Sequence, residues 1–387
     1  MNGWNTRNDG PAERTQTSSP ALPRQHGAWS GRPLALATLT IALAGCSGGE
    51  GTANAASSGP TLGPSELAIL VAEGDVNGEA IARAYQRARG VPDANVIRVR
   101  VPASGHEIGA ADFATLKATI DARLPVNVQA TLLTWTAPSR VVGTCTMSIT
   151  SALALGFDAQ WCANTCETTA PTAYFGSPSR RPFTDFGIRP SMMLGMGSVA
   201  EAQALIERGV AADGIIASGR AVGTGWLVRT NDVARSVRWP DFSALASQSV
   251  PGVVFNYLDN SSGSGSNLVV NQASVLFYFT SLANVPQITT HTWLPGAAAD
   301  HLTSFGGYLP SGQLGQTLVT DWLRAGATAS YGTVAEPCNF TDKFPRASTL
   351  VNRYQAGDTL LEAYWKSVRT PGQGLFVGEP LARPWAR

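Results

Sequence analysis

The stretch LAILVAEGDVNGEAIARAYQRARGVPDANVIRVRV, residues 67–101, decides the fold. LAILVA (67–72) is a short apolar run of the kind that sits inside a sheet. Asn77–Arg89 carries Ile81, Ala84, Tyr85 and Ala88 at helical spacing, and Gly90 and Pro92 supply its stop. VIRVRV (96–101) then alternates, with Ile97, Val99 and Val101 on one face and Arg98 and Arg100 on the other. Strand, helix and strand in so short a span read as a βαβ unit.

The rhythm continues outward. Phe113, Leu116, Ile120 and Leu124 recur at helical spacing, and VQATLLTW (128–135) is the next strand. This alternation predicts an α/β domain over 65–387, a three-layer sandwich with a mostly parallel central sheet covered on both faces. Farther along, Ser198 and Glu201 form a capping box opening a helix to about Arg208. Strands are expected at 214–217, 224–229, 252–258, 275–280, 327–331 and 374–377, with helices at 313–325 and 358–369. Asp259–Asn267 (DNSSGSGSN) reads as a flexible loop. Residues 156–190 break the pattern, with four prolines, three arginines and no clear period. They read as an irregular insertion.

Upstream, Leu34–Gly45 (LALATLTIALAG) is a 12-residue apolar run preceded by Arg14, Arg24 and Arg32. A membrane-spanning helix needs about 20 apolar residues, so the run predicts a signal-peptide core. Its end, Leu43-Ala44-Gly45-Cys46, resembles a bacterial lipobox, in which the cysteine thiol takes a diacylglycerol. Residues 1–45 are therefore expected to be removed, with Cys46 lipidated as the membrane anchor. Ser47 after it favours the outer membrane by the usual sorting preference. The segment before the apolar run is long enough to place the translation start downstream of Met1. Residues 46–64, rich in Gly, Ser and Ala, read as a flexible tether reaching roughly 20–25 Å.

Cys145, Cys162, Cys166 and Cys338 remain in the mature chain. An even number in an oxidising compartment predicts disulfides, with three possible connectivities, that pin the insertion. A Cys162-x-x-x-Cys166 spacing suits a metal, but no histidine lies nearby to complete a site, so no metal or other cofactor is expected. The net charge of +1, with basic residues scattered, excludes the electrostatic footprint of nucleic-acid binding.

No P-loop, dinucleotide glycine fingerprint, H-E-x-x-H or G-x-S-x-G motif occurs. The densest polar cluster runs from Thr290-His291 to Asp300-His301-Leu302-Thr303-Ser304, read as a loop after the strand SVLFYFTS. There Asp300 could orient His301 and Ser304 could serve as nucleophile, or the segment is a structural turn. A second cluster holds Glu336 and Cys338, the latter a nucleophile or half of a disulfide. In a third, Arg229, Arg235 and Arg238 either clamp an anion or form a solvated helix face.

Several segments together carry a resemblance: TWTAPSRV (134–141), TSALALGFD (150–158), LVRTNDVAR (227–235), HLTSFGG (301–307), GATASYGTVAEPC (326–338), KFPRAS (343–348) and GLFVGEPLARPW (374–385). They resemble an uncharacterised family of exported bacterial proteins from species with exosortase, the sorting system for proteins with a C-terminal Pro-Glu-Pro tag. That resemblance implies envelope biology and no particular reaction. A remoter one, to gingipain and caspase-like cysteine peptidases, implies a doubly wound α/β topology. The chain departs from it at both catalytic positions. Leu282-Ala283-Asn284 stands where His-Gly is expected, and Ser304-Phe305-Gly306 where the cysteine would be. The expectation is a non-peptidase, lipid-anchored envelope protein binding a peptide or glycan at its C-terminal loops. The alternative is a hydrolase acting through Asp300, His301 and Ser304, or through Glu336 and Cys338.

Overall fold

The computed structural model describes residues 61–102, 105–312 and 315–386. The expected signal peptide, Cys46 and most of the tether lie outside them. Leu62 is buried in the core and Arg383 Nη1 donates to Thr61 Oγ1, so packed structure takes in the last residues assigned to the tether.

In chain order the strands are β1 (Leu67–Ala72), β2 (Val96–Val99), β3 (Glu107–Gly109), β4 (Ala130–Leu133), β5 (Arg140–Val142), β6 (Thr146–Ser148), β7 (Ser191–Met193), β8 (Gly223–Arg229), β9 (Val253–Asp259), β10 (Val275–Thr280), β11 (Trp293–His301), β12 (Ala329–Thr333) and β13 (Gly374–Gly378). The helices are α1 (Val76–Arg89), α2 (Ala110–Arg123), α3 (Ile149–Leu155), α4 (Pro182–Phe186), α5 (Val199–Ala211), α6 (Trp239–Ala246), α7 (Val319–Ala325), α8 (Ala347–Gln355) and α9 (Leu360–Ser367). The opening unit forms as its sequence dictates. Asp75 caps α1 by accepting from Gly78 N at 3.0 Å, and Gly90 ends it at φ +73°, a conformation glycine adopts at no steric cost. Ile81, Ala84 and Tyr85 face inward as expected, whereas Ala88 is exposed.

Ten strands form one sheet in the order β2-β1-β4-β7-β13-β12-β11-β10-β8-β9, and β3, β5 and β6 form a small second sheet. In the large sheet only β12 and β13 pair antiparallel. It therefore consists of two parallel halves running in opposite directions, and the last strand of the chain, β13, makes the join. On one face Phe277 and Phe279 of β10 meet Tyr354 of α8 and Phe242 of α6, while Trp365 of α9 stacks on Phe376 of β13. On the other, Tyr278 meets Trp322 of α7. The architecture is mixed α/β, with a mostly parallel sheet between helical layers.

Three expectations need correcting. Residues 293–301, read as loop, are the central strand β11. Residues 214–217 are successive turns rather than a strand, with Gly214 at φ +68°. Helices α3, α6 and α8 and strands β3, β5, β6 and β7 are absent from the expected elements, and α8 lies between β12 and α9. Within 156–190 only α4 is regular, and it starts on Pro182, where a missing N–H costs nothing. No helix among the described residues is long and apolar enough to cross a membrane. The cysteines pair as Cys145–Cys162 and Cys166–Cys338, with Cα separations of 5.6 and 5.2 Å. Two such pairs fit a chain that folds outside a reducing compartment.

Candidate functional site

Because β11 is a strand, Asp300 and His301 point to opposite faces of the sheet. This overturns the expectation that Asp300 orients His301. Asp300, completely buried, accepts from Arg238 Nη1 at 2.7 Å on the α6/α8 face. His301, equally buried, accepts at Nδ1 from Trp322 Nε1 at 3.0 Å on the α7 face. Burial, with the Arg238 charge adding to it, pushes the His301 imidazolium down to about 3. Burial raises the Asp300 carboxyl, and Arg238 opposes the rise.

The other candidates are also placed. Ser304 offers its carbonyl to Thr333 Oγ1 at 2.9 Å, and no hydrogen bond joins its hydroxyl to His301 among the described residues. His291 accepts from Gln272 N at 3.1 Å and lies edge-on to Trp293. Glu336 Oε1 accepts from Cys338 N at 2.8 Å, closing the turn after β12, and the Cys338 sulfur is joined to Cys166. Ser304, His301 and Cys338 thus end in three different local structures.

What the fold does bring together is the third cluster and the loop before α8. Arg229 pairs with Asp259 at 3.0 Å and lies over Trp239, and Arg235 pairs with Asp232 at 2.8 Å, both near the surface. Arg238 instead turns inward and is 4% exposed. Its Nη1 reaches Asp300 and Pro345 O, and its Nη2 reaches Thr280 O at 3.2 Å. The Nε of Arg238 and the second oxygen of Asp300 have no partner among the described residues.

Above this pair lies a cavity of about 330 Å³ lined by Val237, Arg238, Pro240, Asp241, Thr341, Pro345, Arg346 and Ser348. Its walls are the first turns of α6 and α8, whose N-terminal dipoles both favour negative charge. Asp241 caps α8, accepting from Ser348 N at 3.1 Å and from its hydroxyl. Arg346 forms no ion pair among the described residues; its guanidinium lies 5.3 Å from the Phe175 ring centre. With Arg238 balanced by Asp300 and Arg346 formally balanced by Asp241, the two helix N-termini give the cavity its preference for an anion. Such a site can hold a carboxylate or another small anion through charge-assisted hydrogen bonds. Asp241, Arg346 and Ser348 escaped sequence reasoning, since their convergence depends on α8. The Arg229–Arg238 spacing was the one visible signal. No group of metal-ligating side chains occurs among the described residues. No protein-family model matches the chain, and no characterised protein is significantly similar to it.

Proposed function

We propose that this protein is an exported, lipid-tethered binding protein of the bacterial envelope, and that its ligand presents a carboxylate, as an acidic peptide does, to the cavity between α6 and α8. The observation that carries the reading is Arg238, buried at the base of a cavity where two helix N-termini and Arg346 converge. Its position beside residues 341–348 agrees with a ligand seated at the C-terminal loops. The binding role is favoured over hydrolysis because Cys338 is paired and His301 is buried against Trp322. Neither is poised as nucleophile or base.

In this reading the likeness to gingipain-type and caspase-like domains is a shared scaffold without their chemistry. Parallel β10, β11 and β12, with α7 between the last two, support it, as do the departures at 282–284 and 304–306. Cys166–Cys338 holds the 156–190 insertion against the loop after β12, and Cys145–Cys162 holds it against the turn between β5 and β6. The test is calorimetric titration of the mature protein with capped tetrapeptides carrying Glu, Gln or Lys at one position. Selective binding of the Glu peptide, weakened about tenfold or more in Arg346→Ala, is expected. Equal affinity for all three would overturn the reading.

A further inference from the structure

The chain contains 28 basic residues but only three lysines, Lys117, Lys343 and Lys366. Arginine is used almost everywhere that a cation is needed, so the three amines bear individual inspection. Lys117 is half-exposed and pairs with Asp121 at 2.7 Å on the surface of α2. Lys366 is fully buried, but it hydrogen-bonds Asp358 at 2.7 Å and has Glu362 at 3.7 Å. Both have structural carboxylate partners.

Lys343 has none within ion-pair distance among the described residues, although it is only 1% exposed. Its Nζ makes one long contact, 3.5 Å to Thr165 O, and lies 5.2 Å from the Phe340 ring centre. An ammonium has three donors to satisfy, and a single long carbonyl contact satisfies them poorly. Burial without a carboxylate favours the neutral amine. It brings Lys343 down to about 8, with Glu167 and Glu336 acting the other way from a distance. The residue also lines a cavity of about 200 Å³ with Thr168, Thr169, Phe340, Thr341, Asp342 and Thr370. Thr341 lines this cavity and the one over Arg238 alike. An amine that is desolvated, weakly bonded and beside a cavity has the requirements of a nucleophilic lysine.

We propose that Lys343 is a nucleophilic amine that captures a small neutral carbonyl compound in this cavity as an imine. The nitrogen lone pair attacks the carbonyl carbon. The nitrogen then gives up two protons, and the carbonyl oxygen leaves with them as water, so no oxidant or reductant is needed. Glu167 and Glu336 nearby disfavour an anionic carbonyl compound, and the volume suits a few carbon atoms.

The experiment uses the intact mature protein with propanal and cyanoborohydride, which reduces the imine to a stable secondary amine, followed by peptide mass mapping. At pH 7.5 a lysine titrating near 8 holds on the order of a hundredfold more free amine than an ordinary one. Lys343 is therefore expected to be alkylated well before Lys117, at a rate that rises with pH and levels off above about 8. Lys343→Arg, with an unchanged melting temperature, should lose that adduct while Lys117 labelling persists. Alkylation of Lys117 with Lys343 unmodified in the folded protein would overturn the proposal and leave Lys343 as a structural tie to Thr165. Equal rates at the two lysines would overturn it as well.

Discussion

The contact between Arg238 and Asp300 is asymmetric in what its loss does. Both groups are buried, so removing one strands the other's charge in a medium that solvates it poorly. Asp300→Asn or Arg238→Met should therefore cost about 3–5 kcal/mol, while a double change to apolar residues should cost less than the sum of the two. Urea unfolding of the four proteins measures this, and simple additivity would contradict the pairing. His301 makes a prediction of the opposite kind. The unfolded histidine titrates near 6.5 and the native one at about 3. Across that window the unfolded chain takes up a proton that the native state refuses. Stability is thus full above pH 6.5 and falls with pH by up to about 1.4 kcal/mol per unit. Glu362, raised by burial to about 6 from an ordinary 4.5, opposes this, because there the native state holds the proton more tightly. Unfolding free energies measured from pH 7 to 4 should decline gently at first and more steeply below 4.5. Glu362→Gln should steepen the first part. A flat profile in both proteins would show that His301 is not held neutral by the fold.

At the scale of elements, the two cysteine pairs close chain segments of very different length, with sequence separations of 17 and 172. On chain-entropy grounds these are worth about 3 and about 5 kcal/mol. Cys166→Ser with Cys338→Ser should destabilise more than Cys145→Ser with Cys162→Ser, and it should expose the 156–190 segment to trypsin after Arg180. Equal losses and equal proteolysis would argue against the first pair as the main tie. The elements also mark where sequence reading stops. The unit from β1 to β2 was legible because apolar period, N-cap and stop glycine agree. β11 was not, since WLPGAAADH has a proline, a glycine and three alanines and no β-branched residue. Its small residues answer to tertiary packing. A Cβ on Gly296 would stand 2.5 Å from Pro384 Cγ, and Tyr354 donates to the Gly296 carbonyl at 3.1 Å. Missing β11 turned a strand into a supposed catalytic loop and placed Asp300 beside His301. The pairing of cysteines was legible in kind, but its connectivity was not. The cavity was invisible because α6 and α8 are more than a hundred residues apart in sequence.

For the whole molecule, the position of β13 has the largest consequence. The last strand lies between β7 and β12 and joins two parallel halves of opposite direction. Just beyond it, buried Glu379 accepts from Tyr85 at 2.7 Å and from Arg89 at 2.8 Å. The C-terminus is thereby tied to the opening βαβ unit. Deleting residues 371–387 should abolish cooperative unfolding, which circular dichroism would record; a retained sharp transition would show that the halves fold without the join. The expected lipid anchor has its own test. An alkynyl fatty acid fed to expressing cells should label the wild type and not Cys46→Ala, which should leave the membrane fraction. The account as a whole rests on binding at the cavity over Arg238. The most direct measurement is the affinity of the mature protein for the Glu-bearing tetrapeptide at low and high salt, alongside Arg346→Glu. Binding that weakens with salt and is lost in the variant is predicted. Affinity unchanged by either would contradict the account.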